Sequence, residues 1–260
     1  MSGHISTGSG CTIRWADPRE PAHAEAVAHM SAAEVERAMG YHREADRRRF
    51  VTACGLLRAA AAAELGVTPG EVVVDRTCQG CGAQHGKPRI VTDGPVLEVS
   101  VSHAGDRVAV ALSALGPVGV DVEQIVPGAA AMPELALTPA ERTILRGVPP
   151  EGKDAAYVAM WVRKEAVLKA TGHGLRIPPD QVEVTGPDAP PALLRWPLDL
   201  APASVGLFPL DPGPGYAGVV AILGAGGRDV PVEGRAYAAA DARVTAPPAP
   251  LPSRLMHTLR

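Results

Sequence analysis

The chain has 260 residues, enough for one large core or two small ones, and 46% of them are hydrophobic, so a folded globular protein is expected. A net charge of −3 at pH 7 excludes the strongly basic balance of a bulk nucleic-acid binder. No apolar run reaches the roughly 18 residues that a membrane span needs, so no membrane association is read.

In chain order, residues 1–10 are rich in Gly and Ser and lack the hydrophobic stretch of a signal peptide; they read as a disordered leader. Cys11, Cys54, Cys78 and Cys81, without a secretion signal, point to a reducing cytoplasm. Ser31-Ala32-Ala33-Glu34 is a capping box opening a short helix that stops near Gly40. A longer, alanine-rich helix is predicted over residues 43–65, with Gly66 as its cap. It carries Arg43, Arg47, Arg48, Arg49 and Arg58, a basic patch suited to a phosphorylated small molecule or an acidic protein surface. Strands are expected at residues 71–75, 97–103, 108–112 and 118–123, the middle two forming a hairpin around Ala104-Gly105-Asp106. Thr138-Pro139-Ala140-Glu141 is a second capping box, its helix ended by Pro149-Pro150. A long helix follows over residues 153–171, then strands at 181–184, 205–210 and 216–223.

Each half therefore reads short helix, long helix, then strands. The expectation is an α+β fold of two pseudo-symmetric α/β halves, residues 11–117 and 118–225, with a cleft between them. Gly, Pro and Ala dominate residues 226–260, which read as a flexible tail, most loosely packed over 244–260.

Two segments carry chemistry. In Val118-Gly119-Val120-Asp121-Val122-Glu123, a strand turns Asp121 and Glu123 to one face and Val120 and Val122 to the other. Two carboxylates so placed form a hard-oxygen site suited to Mg²⁺. On the long helix, Trp161, Lys164, Glu165, Leu168 and Lys169 form one stripe with three charged members. A third carboxylate and two lysines suit an anionic substrate bound through a metal. The bland alternative is a solvated helix face with an ordinary Glu165–Lys169 pair, and an exposed face of an edge strand.

Together, Gly119-Val120-Asp121-Val122-Glu123 and Trp161-x-x-Lys164-Glu165-x-x-x-Lys169 resemble the 4′-phosphopantetheinyl transferase superfamily, whose signature is a V/I-G-V/I-D-x-E strand followed by W/F-x-x-K-E-A/S-x-x-K. Length and layout resemble its monomeric, surfactin-synthetase-activating (Sfp-type) class. Asp46-Arg47-Arg48-Arg49 looks like the family's D-x-x-R, His85-Gly86-Lys87-Pro88 like its G-K/R-P, and Ser102-His103 like its S-H. The likeness spans roughly residues 10 to 225. Ser100 stands where many members have Asn, and Ala104 where Ser is common.

The resemblance implies transfer of the 4′-phosphopantetheine group from coenzyme A to a serine hydroxyl of acyl or peptidyl carrier proteins, with release of 3′,5′-ADP, the holo-acyl-carrier-protein synthase reaction. It implies that Asp121, Glu123 and Glu165 hold Mg²⁺, with Mn²⁺ as an alternative ion. Lys164 and Lys169 would neutralise the pyrophosphate. Arg49, Lys87, Pro88, Ser102 and His103 would line the binding site, with Arg49, Lys87 and His103 on the 3′-phosphate and nearby oxygens. Glu165, directly or through a water on the metal, would take the serine proton, and Lys169 would assist the transfer. A cytoplasmic monomer acting on coenzyme A and carrier proteins follows, with Arg47 and Arg48 either solvent-facing or part of a docking patch for an acidic carrier.

Two other readings stand beside this one. One is a non-catalytic coenzyme A- or nucleotide-binding protein on the same scaffold. The other is a zinc-knuckle interaction module built on Cys78-x-x-Cys81 and His85. The knuckle offers three ligands where a structural zinc takes four, with Cys54 as a remote fourth. The reading taken is a tight turn with two small, partly buried thiols that turnover does not need.

Overall fold

The computed structural model describes residues 10–20, 28–131 and 135–236, so the expected leader and residues 244–260 lie largely or wholly outside the described residues. In chain order the elements are β1 (Cys11–Ala16), α1 (Ala32–Met39), α2 (Glu44–Leu65), β2 (Val73–Thr77), β3 (Gln84–Val91), β4 (Glu98–Ala104), β5 (Arg107–Ser113), β6 (Val118–Gln124), α3 (Pro139–Gly147), α4 (Lys153–Ala170), β7 (Glu183–Val184), β8 (Leu193–Arg195), β9 (Val205–Leu210), β10 (Tyr216–Leu223) and β11 (Val232–Ala236). They fall into two compact units. One joins residues up to Ala114 with those from Glu233 onward; the other is Leu115–Val232. The mixed α and β composition is the one expected.

In the first unit the sheet order is β11-β1-β5-β4. Strands β1 and β5 are antiparallel, as are β5 and β4, with Ser102 opposite Ala109 and His103 opposite Val108. Helix α2 lays Ala53, Leu56, Leu57, Ala60 and Ala61 on Val99, Val108, Val110 and Leu112. Alanine at the contact lets helix and sheet approach closely, so a chain poor in aromatics still fills its core. Strands β2 and β3 form a separate antiparallel ribbon with a register break between Asp75 and Thr77.

The basic patch expected on α2 does not form as one surface. The helical period sends its arginines to different sides. Arg58 is buried and pairs with Glu34 of α1 at 2.7 Å. Arg47, which the sequence left solvent-facing or docking, donates to the carbonyls of Ala38 at 3.2 Å and Tyr41 at 2.9 Å, closing the end of α1. Arg48 is paired with Glu44 one turn away.

Three further differences have local causes. The strand expected at 71–75 starts at Val73, because Thr68 opens a 3₁₀ turn over Pro69–Glu71. Strands β1, β3 and β8 were not expected; β1 alternates Cys11, Ile13 and Trp15 with Thr12 and Arg14 and could have been read, whereas β3 carries no clear alternation. Within the stretch read as tail, residues 232–236 form β11, a strand whose regularity comes from its neighbour β1 and not from its composition.

The second unit has an antiparallel sheet of order β6-β10-β9 and a small β7–β8 ribbon. Helix α4 covers the sheet, packing Met160, Val162, Ala166, Val167 and Ala170 with Val219, Ala221 and Leu207. The tightest contact is at Gly119 of β6. A Cβ there would lie 2.0 Å from the Ala166 carbonyl oxygen and 2.3 Å from the Ala170 nitrogen. Only glycine permits this approach, and the approach fixes which α4 residues face β6. Helix α3 begins with the expected capping box of Thr138 and Glu141.

Candidate active site

Asp121 lies on β6 opposite Val219, and Glu123 opposite Ala217, on the face that α4 covers. Asp121 is only 2% exposed, so the exposed edge-strand alternative is wrong for it. Val118, Val120 and Val122, on the other face, are fully buried. Across from Asp121, Lys169 of α4 donates to its Oδ1 at 2.6 Å. Glu165, one turn earlier, is half-buried, and its Oε1 is buried and accepts no hydrogen bond.

The electrostatics tie these groups together. Burial, then the charge of Asp121 and in smaller measure that of Glu165, push the Glu123 carboxyl up to about 7, while Lys169 pulls it down. Glu165 is raised by burial and by Asp121, again against Lys169. Two carboxyls raised by burial and by the charge of a third, Asp121, form a site with excess negative charge and one lysine to offset it. The donor set fits a hard divalent cation: three carboxylates, among them Glu165, whose buried Oε1 no protein donor reaches. Among the described residues, the set of three side chains whose ligand atoms all lie within 4.8 Å of one another is elsewhere, at Cys78, Cys81 and His85.

Lys164 is a correction. The helical stripe grouped it with Glu165 and Lys169, yet its side chain is 0% exposed and turned into the core. Its ammonium sits 2.5 Å from the Glu141 carboxylate and donates to the carbonyls of Ala136 at 2.7 Å and Pro179 at 2.9 Å. Glu141 in turn accepts from the backbone N–H of Thr138 at 2.7 Å and of Val184 at 2.9 Å. A charge so enclosed pins α3, α4 and β7 together, and three acceptors leave it no donor for an anion outside. The face that does line the site runs Tyr157, Trp161, Glu165, Lys169, at a spacing of four. Trp161 stacks on Tyr157 with ring centroids 6.5 Å apart. The Tyr157 phenol is raised by burial and by the charge of Glu123, which identifies it as a site neighbour that motif reading missed. Its signal was the four-residue step before Trp161.

In the first unit, Asp46 and Arg49 pair one turn apart on α2, and Arg49 donates to the Gly105 carbonyl at 2.9 Å. Arg49 is thereby held against the β4–β5 turn, two residues past His103. Ser102 is buried beside the half-buried His103. Lys87 and Pro88 lie on β3, where the Lys87 ammonium is 3.6 Å from Glu98, at the start of β4. Burial lowers the Lys87 pKa against the pull of Glu98. Glu98 and His103 are five residues apart on one strand, about 17 Å. Arg49 and His103 thus share one end of β4, while Lys87 meets the other.

Comparison with known proteins bears on this geometry. Residues 117–220 match the family model of the 4′-phosphopantetheinyl transferase superfamily. Over 206 residues the chain is 31% identical to the 4′-phosphopantetheinyl transferase HetI of Nostoc sp., covering 77% of this chain and 81% of that protein. It is 28% identical over 159 residues to a 4′-phosphopantetheinyl transferase of Bacillus subtilis, covering 61% of this chain and 67% of the relative. A crystal structure of holo-[acyl-carrier-protein] synthase from Thermotoga maritima aligns with a TM-score of 0.35 and 22% identity over 42% of this chain and 62% of that one.

Proposed function

Because the chain belongs to the 4′-phosphopantetheinyl transferase superfamily, we propose a division of labour among its residues for the reaction of that family. The chain transfers the 4′-phosphopantetheine group of coenzyme A to a serine hydroxyl of a carrier protein, with coenzyme A and a divalent metal as the family's requirements. The ion is Mg²⁺, held by Asp121, Glu123 and Glu165. When bound it supplies positive charge to the pyrophosphate and its leaving oxygen. The serine Oγ attacks the β-phosphorus, the bond to the bridging oxygen breaks, and 3′,5′-ADP leaves with that electron pair. Glu165 takes the serine proton. Its raised proton affinity and its buried Oε1 support that role. Lys169, already on Asp121, neutralises charge on the same phosphates. Arg49 and His103 bind the 3′-phosphate, Lys87 a different phosphate oxygen, and Pro88 and Ser102 shape their surroundings.

The observation that carries this reading is the close approach at Gly119, which turns Glu165 and Lys169 of α4 toward Asp121 of β6. We assign the chain to the surfactin-synthetase-activating class, acting as a cytoplasmic monomer. The carboxylate-and-lysine machinery is intact, which argues against the non-catalytic binder. No helix among the described residues is long and apolar enough to cross a membrane. The test is incubation with coenzyme A, Mg²⁺ and apo carrier proteins, read by intact mass. A mass gain of one phosphopantetheine group, dependent on the metal, is expected. Coenzyme A binding with no mass gain on any carrier would favour the non-catalytic reading.

A further inference from the structure

The tip of the β2–β3 ribbon holds a cluster that transfer chemistry does not use. Cys78, Cys81 and His85 bring one ligand atom each to within 4.8 Å of the others. The Cys81 Sγ is 3.0 Å from the His85 Nε2. Backbone geometry builds this meeting. The Gly82 N–H donates to the Cys78 carbonyl at 2.9 Å, and the Cys78 N–H donates to the Ala83 carbonyl at 2.8 Å, closing the turn that sets the two sulfurs side by side. Gly82 has φ +75°, a conformation that side chains with a Cβ rarely adopt. A Cβ on Gly86 would lie 2.9 Å from the Thr77 carbonyl oxygen and 3.0 Å from the Cys78 Cα, so glycine alone lets the strand carrying His85 lie against Cys78. Two glycines with separate steric reasons thus serve one convergence.

The spacing suits a metal. With Zn–S near 2.3 Å and Zn–N near 2.05 Å, a tetrahedral ion separates its two sulfurs by about 3.8 Å and a sulfur from a nitrogen by about 3.6 Å. The cluster lies within small side-chain rotations of those values. Two thiolates and an imidazole select a borderline-soft ion over Mg²⁺. Cys54 does not complete the set, being buried in α2 among Ala38, Phe50 and Val51. Cys81 and His85 are exposed, so solvent can supply the fourth ligand. We propose that Cys78, Cys81 and His85 bind one Zn²⁺ with water as the fourth ligand, and that the ion pins the tip of the β2–β3 ribbon. Loading displaces two thiol protons, so about two protons leave per ion bound. The tight turn expected from the sequence is present, but only Cys78 is half-buried and Cys81 is exposed; this assignment gives both thiols a metal to bind. It stands independently of the transferase reading.

The full chain, stripped with a chelator under reducing conditions, is titrated with Co²⁺ in excess Mg²⁺, which keeps the carboxylate site from contributing. A thiolate-to-cobalt charge-transfer absorption should grow to one equivalent, disappear on adding one equivalent of Zn²⁺, and be lost in Cys78→Ser/Cys81→Ser. His85→Gln should weaken binding by at least the roughly 10- to 100-fold that loss of an outer-shell partner costs. A second readout needs no variant. Zn²⁺ should protect Cys78 and Cys81 from iodoacetamide, mapped by peptide mass, while the buried Cys11 and Cys54, whose thiols burial pushes up to about 12, react little in either state. No thiolate band in the wild-type chain, a band that survives the double substitution, or equal alkylation with and without Zn²⁺ would each overturn the proposal.

Discussion

Gly119→Ala adds a single methyl group where helix and strand leave no room. The new Cβ would lie 2.0 Å from the Ala166 carbonyl oxygen, whereas ordinary contact begins at 3.4 Å. The difference, 3.4 − 2.0, requires α4 and β6 to part by about 1.4 Å along that direction. Both obstructing groups are backbone, so no side-chain rotation relieves the clash. Overpacking of this kind typically costs ~1–3 kcal/mol, and a rigid backbone obstacle puts this case at the upper end. The same shift stretches the Lys169–Asp121 contact from 2.6 Å to about 4.0 Å, outside hydrogen-bonding range. A misplacement near 1 Å can cost about 10²-fold in rate, so turnover should fall by that order even at saturating Mg²⁺. Urea unfolding followed by circular dichroism gives the stability, and carrier modification by intact mass gives kcat/KM. Gly147→Ala is the control. A Cβ there meets nothing within 4 Å, and alanine in the last turn of α3 should be neutral or stabilising by up to ~1 kcal/mol. A Gly119→Ala protein with wild-type midpoint and turnover would show that the close approach does not set the site.

Glu165→Gln keeps the shape of the side chain but removes its charge and proton affinity; carrier modification should drop by at least ~10²–10⁴-fold with the circular dichroism unchanged. The two lysines of the motif should separate cleanly. Lys164→Ala leaves the Glu141 carboxylate buried without its partner and should cost ~3–5 kcal/mol in urea unfolding, whereas Lys169→Ala, which removes a partly exposed ammonium from Asp121, should cost less stability than that and abolish most of the turnover. Because the Glu123 carboxyl is raised to about 7, protons compete with the metal below that pH, so the Mg²⁺ concentration for half-maximal rate should fall as pH rises through about 7; a requirement flat with pH would contradict the coupling. Arg49→Ala should weaken coenzyme A by about 10- to 150-fold and 3′-dephospho-coenzyme A far less; equal loss for both ligands would show that Arg49 does not read the 3′-phosphate.

The sequence foretold what local rules control. Both capping boxes, the span of α4 and strands β9 and β10 could be read because caps and apolar runs act over a few residues. The pairing of Asp121 and Glu123 on one strand face followed from the two-residue period. Lys164 could not be read correctly, because nothing in Trp-x-x-Lys-Glu says that the lysine finds Glu141 while Glu165 does not. That partner is 23 residues away in sequence and is set by how α3 and α4 pack. The role of Gly119 was hidden for a related reason: a glycine in a strand records the approach of something outside the strand. The arginines of α2 looked like one patch along the sequence, while the helix distributes them among Glu34, Glu44, Asp46 and the end of α1.

Strand β11 has a consequence for how the molecule is made. It lies beside β1 in the sheet, yet more than two hundred residues of chain are synthesised between the two. All of residues 115–231 have left the ribosome before β11 emerges, so the second unit can fold on the nascent chain while β1 is still a bare edge with unpaired backbone groups. A ribosome stalled near residue 230 would therefore display an incomplete first sheet, and that intermediate is where a chaperone, or another copy of the unfinished chain, would find a strand to pair with.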